Sequence, residues 1–331
     1  MPQTSAVPPM HQRLAVPAAL CAAVLLTACG GGDDENRGLT QQAAQGYAAD
    51  ATTMTVLAAS SMDGAASVLE TALATTPSAA DGSRMRPADL TLPGGSAACA
   101  AGGTVEWGIT GGNADTYFNG RLDAGETYFI TYDGCATGEA GQVLDGGLTL
   151  VVTAASSSAT DLTLTAAALT TTTPQGTHVL DGSKRRQRTV VDLGGGARQV
   201  TARLTASGVA MATSINGRQA SYTLRALDWT VVRNFDTAGA LVLRTHQGTL
   251  DLVASTPRRP AATLQIATQG TLTLGDDGLA AAGGFTVITS DHRIVCNYGS
   301  GSVTLQLDLG NNGSFDLSWT LQRPFYNSEA G

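Results

Sequence analysis

Charged side chains are scarce in this sequence, and lysine is almost absent. Only 14% of the 331 residues are charged, and 19 Lys and Arg stand against 27 Asp and Glu, which gives a formal net charge of -8. Lys184 is the single lysine of the chain. Proteins that bind the phosphate backbone of nucleic acids carry clusters of cations and are basic. The composition therefore argues against nucleic acid as a partner.

Aromatic residues are few as well, at 5%, whereas the chain contains 40 glycines and many threonines and alanines. This composition predicts many short strands joined by tight turns. The roughly 300 residues that follow the N-terminal apolar run are enough to build one large core or two domains.

The sequence lacks the motifs of the common catalytic sites. It contains no GxSxG, HExxH, SxxK, GxxxxGK or GxGxxG motif and no CxxC pair. His178, His246 and His292 are isolated in alternating segments, where we expect strand-face or turn residues. Catalytic residues that meet only in the folded chain leave no such motif. Activity as an enzyme is therefore left uncertain, and a non-enzymatic protein is favoured.

The N-terminus carries an apolar run that is too short to cross a membrane. The run extends from Leu14 to Ala28, about fifteen residues, whereas a spanning helix needs roughly twenty. Arg13 stands on its N-terminal side. A short apolar segment with a cationic flank is typical of a signal peptide, and we predict that residues 1–28 are removed.

The apolar run ends in Leu26-Thr27-Ala28-Cys29, which resembles the lipobox of bacterial lipoproteins. The resemblance implies cleavage before Cys29 and transfer to its thiol of a diacylglyceryl group, which carries fatty acids such as palmitate. Several acyl chains on one residue make a durable membrane anchor, whereas a single chain gives only marginal binding. In such lipoproteins an Asp directly after the lipidated cysteine implies retention in the inner membrane. This chain has Gly30 there, which favours the outer membrane. The periplasmic face is preferred over the cell surface.

The rest of the chain divides into four zones. Residues 29–38 contain the lipidated cysteine and an acidic, glycine-rich stretch that we expect to be a flexible tether. Residues 39–76 are rich in alanine, with apolar residues partly at helical spacing, and predict one or two helices. Proline and glycine mark residues 77–95 as a linker. Residues 96–331 are predicted to form a β domain.

Apolar and polar residues alternate in many segments of this last zone, which predicts half-buried strands. The alternating apolar positions include Leu162 and Leu164; Val200, Ala202 and Leu204; Tyr222, Leu224 and Ala226; Leu250 and Leu252; and Val303, Leu305 and Leu307. Asn-Gly and Asp-Gly pairs between such segments supply the positive φ of tight turns. Asn216-Gly217 is the clearest hairpin turn, and turns are also predicted at Gly134, Gly146 and Gly182.

These patterns predict a mainly β protein, built as a many-stranded antiparallel sheet after a short Ala-rich helical segment. A sandwich, an open curved sheet and a half-barrel all fit the number of strands. Segments that open with Gly and alternate afterwards recur at unequal spacings, whereas a solenoid needs a fixed period. An antiparallel meander is therefore preferred.

Five cysteines give a constrained set of pairings. Cys21 leaves with the signal peptide and Cys29 is used by the lipid, so Cys99, Cys135 and Cys296 remain in an oxidising compartment. We predict a Cys99–Cys135 disulfide, because each cysteine borders a strand-like segment and the intervening stretch reads as a self-contained hairpin region. Cys296 is then buried and free, or it pairs with one of the others.

One loop contains oxygen ligands at spacings similar to those of a calcium loop. Asp115, Asn119, Asp123 and Glu126 stand around a central glycine. A tyrosine occupies one ligand position, and the flanking segments look like strands, so a solvated hairpin loop is the alternative. Calcium is the only cofactor candidate. A second acidic loop, from residue 308 to 316, is interpreted as a hairpin turn whose side chains bind its own backbone.

Two further features have ordinary structural interpretations. The basic run Lys184-Arg185-Arg186-Gln187-Arg188 follows an Asp-Gly pair, and we expect it to form a solvated hairpin tip, with binding to acidic lipid as the alternative.

The three tryptophans occur in strand-like contexts and are expected in the core or on a sheet face rather than in a sugar-binding platform. These are Trp107, Trp229 and Trp319.

The whole pattern looks like that of uncharacterised proteobacterial envelope lipoproteins. It combines the lipobox, the Ala-rich helix, a CAAGGT strand, a LDAGE hairpin that leads to YDGC, and a closing LDLGNNGSFD segment. The resemblance implies location and shape only. It favours a membrane-anchored, non-enzymatic envelope protein that binds a lipid, a glycan or another envelope protein. A hydrolase of envelope or polysaccharide material and a calcium-dependent adhesin are the alternatives.

Overall fold

The structure, a computed structural model, describes residues 40–75, 84–85, 92–137, 141–174, 176–215, 217–257, 259–275, 280–299 and 301–322. The predicted signal peptide and the whole of the predicted tether, including Cys29, lie outside these ranges. Residues Gly38–Gly331 form one compact unit. Helix α1 spans Gln41–Thr75, where the sequence predicts one or two helices, and the strands follow it in the chain.

Seventeen strands are present in the described residues. They are β1 (Arg84–Met85), β2 (Leu92–Ala98), β3 (Thr104–Gly111), β4 (Glu126–Ala136), β5 (Val143–Ala155), β6 (Ala159–Thr173), β7 (Gly176–Gly194), β8 (Ala197–Ala206), β9 (Val209–Ile215), β10 (Arg218–Phe235), β11 (Leu241–Thr256), β12 (Arg259–Thr268), β13 (Leu272–Leu274), β14 (Ala280–Ile288), β15 (His292–Gly299), β16 (Ser302–Leu309) and β17 (Leu317–Gln322).

The strands form one antiparallel sheet with a meander topology. From β2 to β7, each strand pairs with the next one along the chain. Strands β8 and β9 lie end to end between β7 and β10, because β8 pairs with the second half of β7 and β9 with its first half. Strands β12 and β13 share the space between β11 and β14 in the same way. The predicted fold class is confirmed.

Helix α1 lies against the inner face of this sheet and is buried on every side over part of its length. The five consecutive residues from Ala48 to Thr52 are each at most 2% exposed. A helix that packs on a flat surface buries only one stripe, so consecutive buried residues mean that the sheet curves around the helix. The helix contacts strands as far apart as β3 and β15. Among the architectures left open by the sequence, one sheet curved around a helix agrees with the open curved sheet and with the half-barrel rather than with a sandwich.

The alanine content of helix α1 lets it fit inside this curved sheet. Its buried alanines are Ala44, Ala48, Ala49, Ala51, Ala58, Ala65, Ala66 and Ala72. The largest fully buried side chains belong instead to the sheet, and they include Trp107, Trp229, Tyr128 and Phe285. Small residues on the helix allow these rings to approach its backbone closely, as dense packing requires. The prediction that Trp107 and Trp229 are core residues is confirmed.

Hydroxyl groups of the sheet bind the helix directly. The Tyr132 hydroxyl donates a hydrogen bond of 2.7 Å to the backbone carbonyl of Ala65, and burial raises the pKa of Tyr132, so this hydroxyl stays protonated. The hydroxyls of Thr52 and Tyr298 lie 2.6 Å apart. Because buried polar groups are costly without partners, these bonds favour one position of the helix along its axis.

Several predicted Asp-Gly turns are bulges inside long strands. Gly134, Gly146 and Gly182 lie within β4, β5 and β7, next to breaks in the pairing register. Their φ values of 52°, 102° and 122° are those that glycine adopts readily. The prediction of turns at these three pairs is wrong. The predicted hairpin turn at Gly217 is confirmed, since Arg218 pairs with Ile215 across it.

The disulfide joins Cys99 to Cys135, as predicted, with 5.4 Å between the two Cα atoms. Cys296 is buried and free, and burial raises the pKa of its thiol. In the chain-entropy account, a crosslink over this sequence separation stabilises the fold by roughly 3 to 4 kcal/mol. Strand β2 begins at Leu92, within the range 77–95 that the sequence predicts as a linker.

Candidate functional site

The inner face of the sheet carries a row of cations on β7. Lys184 and Arg186 point inward and are each 3% exposed, whereas Arg185 between them is exposed. The expectation that this basic run forms a hairpin tip is wrong, because the run lies in the middle of β7 and pairs with β6 and β8. The alternation of side chains along a strand places every second cation inside the sheet.

Two carboxylates of helix α1 face this row. Asp63 is 5% exposed, and its oxygens lie 3.6 Å from Nζ of Lys184 and 3.9 Å from Nη1 of Arg186. Glu70 accepts hydrogen bonds from Arg186 and, over 2.9 Å, from Arg188. Because removing one member of a buried ion pair leaves an uncompensated charge, these contacts hold the C-terminal half of the helix against β7. We call these five residues the Asp63 cluster.

A third carboxylate of the helix, Asp50, is fully buried and has three partners in the sheet. Arg218 lies 2.7 Å from one oxygen, Arg259 binds the other, and the Tyr222 hydroxyl donates over 2.9 Å. Gly46 leaves space for Arg259, because a Cβ there would lie 2.8 Å from its guanidinium carbon. Both oxygens of Asp50 are used in anchoring the N-terminal half of the helix.

His246 of β11 is a buried neutral histidine near these charges. Its Nδ1 lies 3.3 Å from the backbone carbonyl oxygen of Thr55, and its ring packs edge-on against Trp229. Burial lowers the pKa of His246 to about 4, and Arg244 and Arg233 contribute in the same direction. His246 is therefore uncharged at neutral pH. It matches the expectation of a strand-face residue.

A cavity of about 360 Å³ lies between the C-terminal part of helix α1 and the sheet. Its helical wall runs from Asp63 to Thr75, and the other walls come from the ends of β10 and β11 and from the segments around the β2–β3 and β4–β5 connections. Cys99 belongs to the wall, so the disulfide fixes one edge. The volume falls within the roughly 300 to 1,000 Å³ that is typical of small-molecule sites.

Two arginines stand opposite each other in the wall of this cavity. Arg233 of β10 and Arg244 of β11 are direct partners in the register of the two strands, and both are half-buried. The apolar part of the wall includes Val68, Val105 and Phe235. A pocket with an apolar wall and a few convergent polar groups is the usual form of a ligand site.

The residues predicted to bind calcium lie together only in part. Asn119 donates a hydrogen bond to Asp123, and the fully buried Glu126 accepts from the backbone N–H of Asp123 over 2.8 Å and from the Tyr128 hydroxyl over 2.6 Å. Asp115 is exposed. Within the described part of the chain, no three His, Cys, Asp or Glu residues are arranged to hold a metal. Calcium binding at this loop stays a prediction.

The second acidic loop is a turn stabilised by its own backbone, as the sequence indicates. Asp308 is fully buried and accepts hydrogen bonds of 2.9 Å from the backbone N–H groups of Asn312 and Gly313. Arg293 of β15 lies 3.1 Å from the same carboxylate. The interpretation as a hairpin turn is confirmed.

Comparisons with known proteins do not extend this description. The chain matches no protein-family model, no curated protein and no solved structure. Among the described residues, no helix combines the length and the apolar character needed to cross a membrane. The functional interpretation therefore depends on the cavity and on the motifs of the sequence.

The sequence interpretation missed both cavity arginines, although a signal for them exists. Trp229, Val231 and Arg233 share one face of β10, so period-two alternation assigns Arg233 to the core side of the strand. Arg244 occupies the matching position after the β10–β11 turn. A cation at a core position on both strands of one hairpin indicates an interior polar site.

Proposed function

We propose that the protein is a lipid-anchored, non-enzymatic envelope protein that binds a small ligand in the cavity beside the C-terminal part of helix α1. The cavity is the observation that carries this proposal. Its walls are fixed by the ion pairs of the Asp63 cluster and by the Cys99–Cys135 disulfide. A preformed pocket does not lose binding energy to the ordering of its own residues, which suits a binding protein.

The anchor is supported by the sequence motif at Cys29. We propose that acyl chains on this residue attach the protein to the outer membrane, facing the periplasm. Helix α1 begins at Gln41, whereas the cavity lies beside its end at Thr75. A helix of 35 residues is roughly 50 Å long. The cavity therefore lies far along the helix from Gln41.

The expected partners are the membrane, through the lipid, and a lipid, glycan or protein group of the envelope that is small enough to enter the cavity. Hydrolysis of a glycan gains no support from the cavity, because that chemistry uses two carboxylates. Asp63 is the single acidic residue among the described lining residues, and it is paired with Lys184 and Arg186.

The proposal is tested by identifying what the protein carries when it is purified from membranes. Small molecules released by denaturation are measured by mass spectrometry for the native protein and for two variants. Val68→Trp places an indole on a half-buried position of the cavity wall, and Gln42→Trp places one on an exposed position of the same helix. We expect one class of molecule with the native protein and with Gln42→Trp, and its loss with Val68→Trp. Equal release from all three proteins, or none, would contradict the proposal.

A further inference from the structure

The paired arginines of the cavity are an unusual arrangement for a sheet interior. Like charges at directly opposed positions of an antiparallel pair destabilise the sheet, and Arg233 and Arg244 are such a pair. The Nε atom of Arg244 is buried, and it has no hydrogen-bond partner among the described residues. A buried donor without an acceptor is costly, so the position of Arg244 is better explained if it meets an anion.

Asp63, the one carboxylate among the described lining residues, does not supply this anion to Arg244. Asp63 lines the same cavity, but its oxygens lie near Lys184 and Arg186. Burial lowers the pKa of Lys184 most, and the charges of Arg186 and Arg233 lower it further. The region therefore concentrates positive charge in a protein whose net charge is -8.

The apolar lining residues of the cavity indicate the chemistry of the part of the ligand beyond its anionic group. Val68, Val105 and Phe235 provide an apolar surface beside the two arginines, and Leu241, which is 40% exposed, lies in the same wall. A guanidinium group binds carboxylate or phosphate through a planar pair of N–H donors. A bare inorganic ion would leave the apolar wall without a contact.

We infer that the cavity binds a small organic anion, with its carboxylate or phosphate group against Arg244 and its apolar body along Val68, Val105 and Phe235. This inference rests on the proposed function, since it names the chemical class of the ligand in the same cavity. Its head group gives the buried Nε of Arg244 an acceptor, and its body covers the apolar wall.

The test is isothermal calorimetry on the full-length protein in a non-ionic detergent. The probes are hexanoate, hexyl phosphate, inorganic phosphate and 1-hexanol, and partition into micelles is subtracted with detergent alone. Arg244→Gln removes one cavity cation. Arg203→Gln is the matched control, because Arg203 is exposed on β8 and pairs with Asp228. We expect hexanoate or hexyl phosphate to bind the native protein and Arg203→Gln equally, and Arg244→Gln about tenfold or more weakly.

The two anionic probes identify the head group, because the tighter one shows whether carboxylate or phosphate is preferred. Equal affinity for hexanol and hexanoate, or unchanged affinity of Arg244→Gln, would overturn the inference and leave the proposed function standing. Binding of inorganic phosphate as tight as that of hexyl phosphate would overturn the part that concerns the apolar body. Absence of binding by every anionic probe would also overturn the inference. The proposed function is tested separately, by mass spectrometry of the small molecules that the purified protein releases.

A second variant covers the case in which Arg244→Gln does not fold. Val68→Trp enlarges a half-buried side chain of the cavity wall from the helix side and removes no charge. Circular dichroism establishes that the variant is folded, and hexanoate binding is then measured. We expect binding to be lost, and hexanoate binding equal to that of the native protein would place the anion outside the cavity and overturn the inference.

Discussion

Lys184, the single lysine of the chain, lies 3.6 Å from Asp63 in the interior of the curved sheet. Its ammonium group also donates a hydrogen bond of 3.3 Å to the backbone carbonyl of Ala58. Burial lowers the pKa of Lys184, and Asp63 opposes this effect. A cation in this position connects β7 to the middle of helix α1, so the pair contributes to the position of the helix.

Replacing this lysine tests the role of the pair. Lys184→Met removes the hydrogen bond to the Ala58 carbonyl and one of the two cations near Asp63, and we expect the free energy of unfolding to fall by about 3 kcal/mol. Arg185→Met is the control, because the side chain of Arg185 faces solvent and pairs with Asp161 on the outer face of the sheet. That pair is exposed to solvent, so its loss is expected to change the free energy of unfolding much less. Urea unfolding followed by circular dichroism measures both, and equal losses would contradict the interior position of Lys184.

Because the curved sheet surrounds helix α1, we expect the free energy of unfolding to depend strongly on the size of the buried side chains of the helix. Ala65 is fully buried, whereas Ala74 on the same helix is exposed. Ala65→Leu forces a larger side chain against the sheet and is expected to cost about 1 to 3 kcal/mol of unfolding free energy. Ala74→Leu is expected to change it by less than about 0.5 kcal/mol. Thermal unfolding separates the two variants, and similar midpoints would argue that the sheet does not enclose the helix.

Local patterns in the sequence predicted the strands well and their connections less well. Alternation identified segments such as Leu162 and Leu164, whose side chains are fully buried. Gly182 was assigned to a turn because an Asp-Gly pair fits both a hairpin and a bulge, and the difference depends on the neighbouring strands. The backbone N–H of Ala168 on β6 binds Asp181, which stabilises the bulge.

The candidate site was less predictable because its residues are far apart in the chain. Asp63 and Lys184 meet only when the sheet curves around the helix, and no local sequence pattern predicts that contact. The alternation of side chains along a strand nevertheless predicts that Lys184 and Arg186 share one face and that Arg185 lies on the other. An acidic residue on an alanine-rich helix, such as Asp50, was the complementary signal.

Loss of the disulfide is expected to destabilise the fold by roughly 3 to 4 kcal/mol in the chain-entropy account. The variant is Cys99→Ser with Cys135→Ser, and its unfolding is compared with that of the native protein in urea. Cys296→Ala is the control, since this thiol is free and its loss removes only a small buried group. A loss in the double variant no larger than in the control would show that the crosslink does not stabilise the fold.

The stability of the protein is expected to fall in mild acid because of His246. Its pKa is about 4 in the folded chain, below the ordinary 6.5 that applies after unfolding. Between these pH values the unfolded chain binds more protons, so this contribution to stability is complete above pH 6.5 and decreases as the pH falls toward 4. The loss is on the order of 2 to 3 kcal/mol.

The histidine is tested by measuring the free energy of unfolding at several pH values in His246→Gln and in the native protein. We expect a smaller slope between pH 6.5 and 4 in the variant. Burial also lowers the pKa of His178, so a residual slope of the same sign is expected. Identical slopes in the two proteins would show that His246 is protonated equally in the folded and unfolded chains.

Lipidation of Cys29 is the claim on which the proposed location depends, and metabolic labelling with radioactive palmitate tests it most directly. The native chain and a Cys29→Ala variant are expressed in a bacterial host, and the membrane fraction of each is examined for labelled protein. The proposal predicts label in the native chain, and neither label nor membrane attachment in the variant. Equal labelling of both proteins, or no label in the native chain, would contradict the assignment of a lipid-anchored envelope protein.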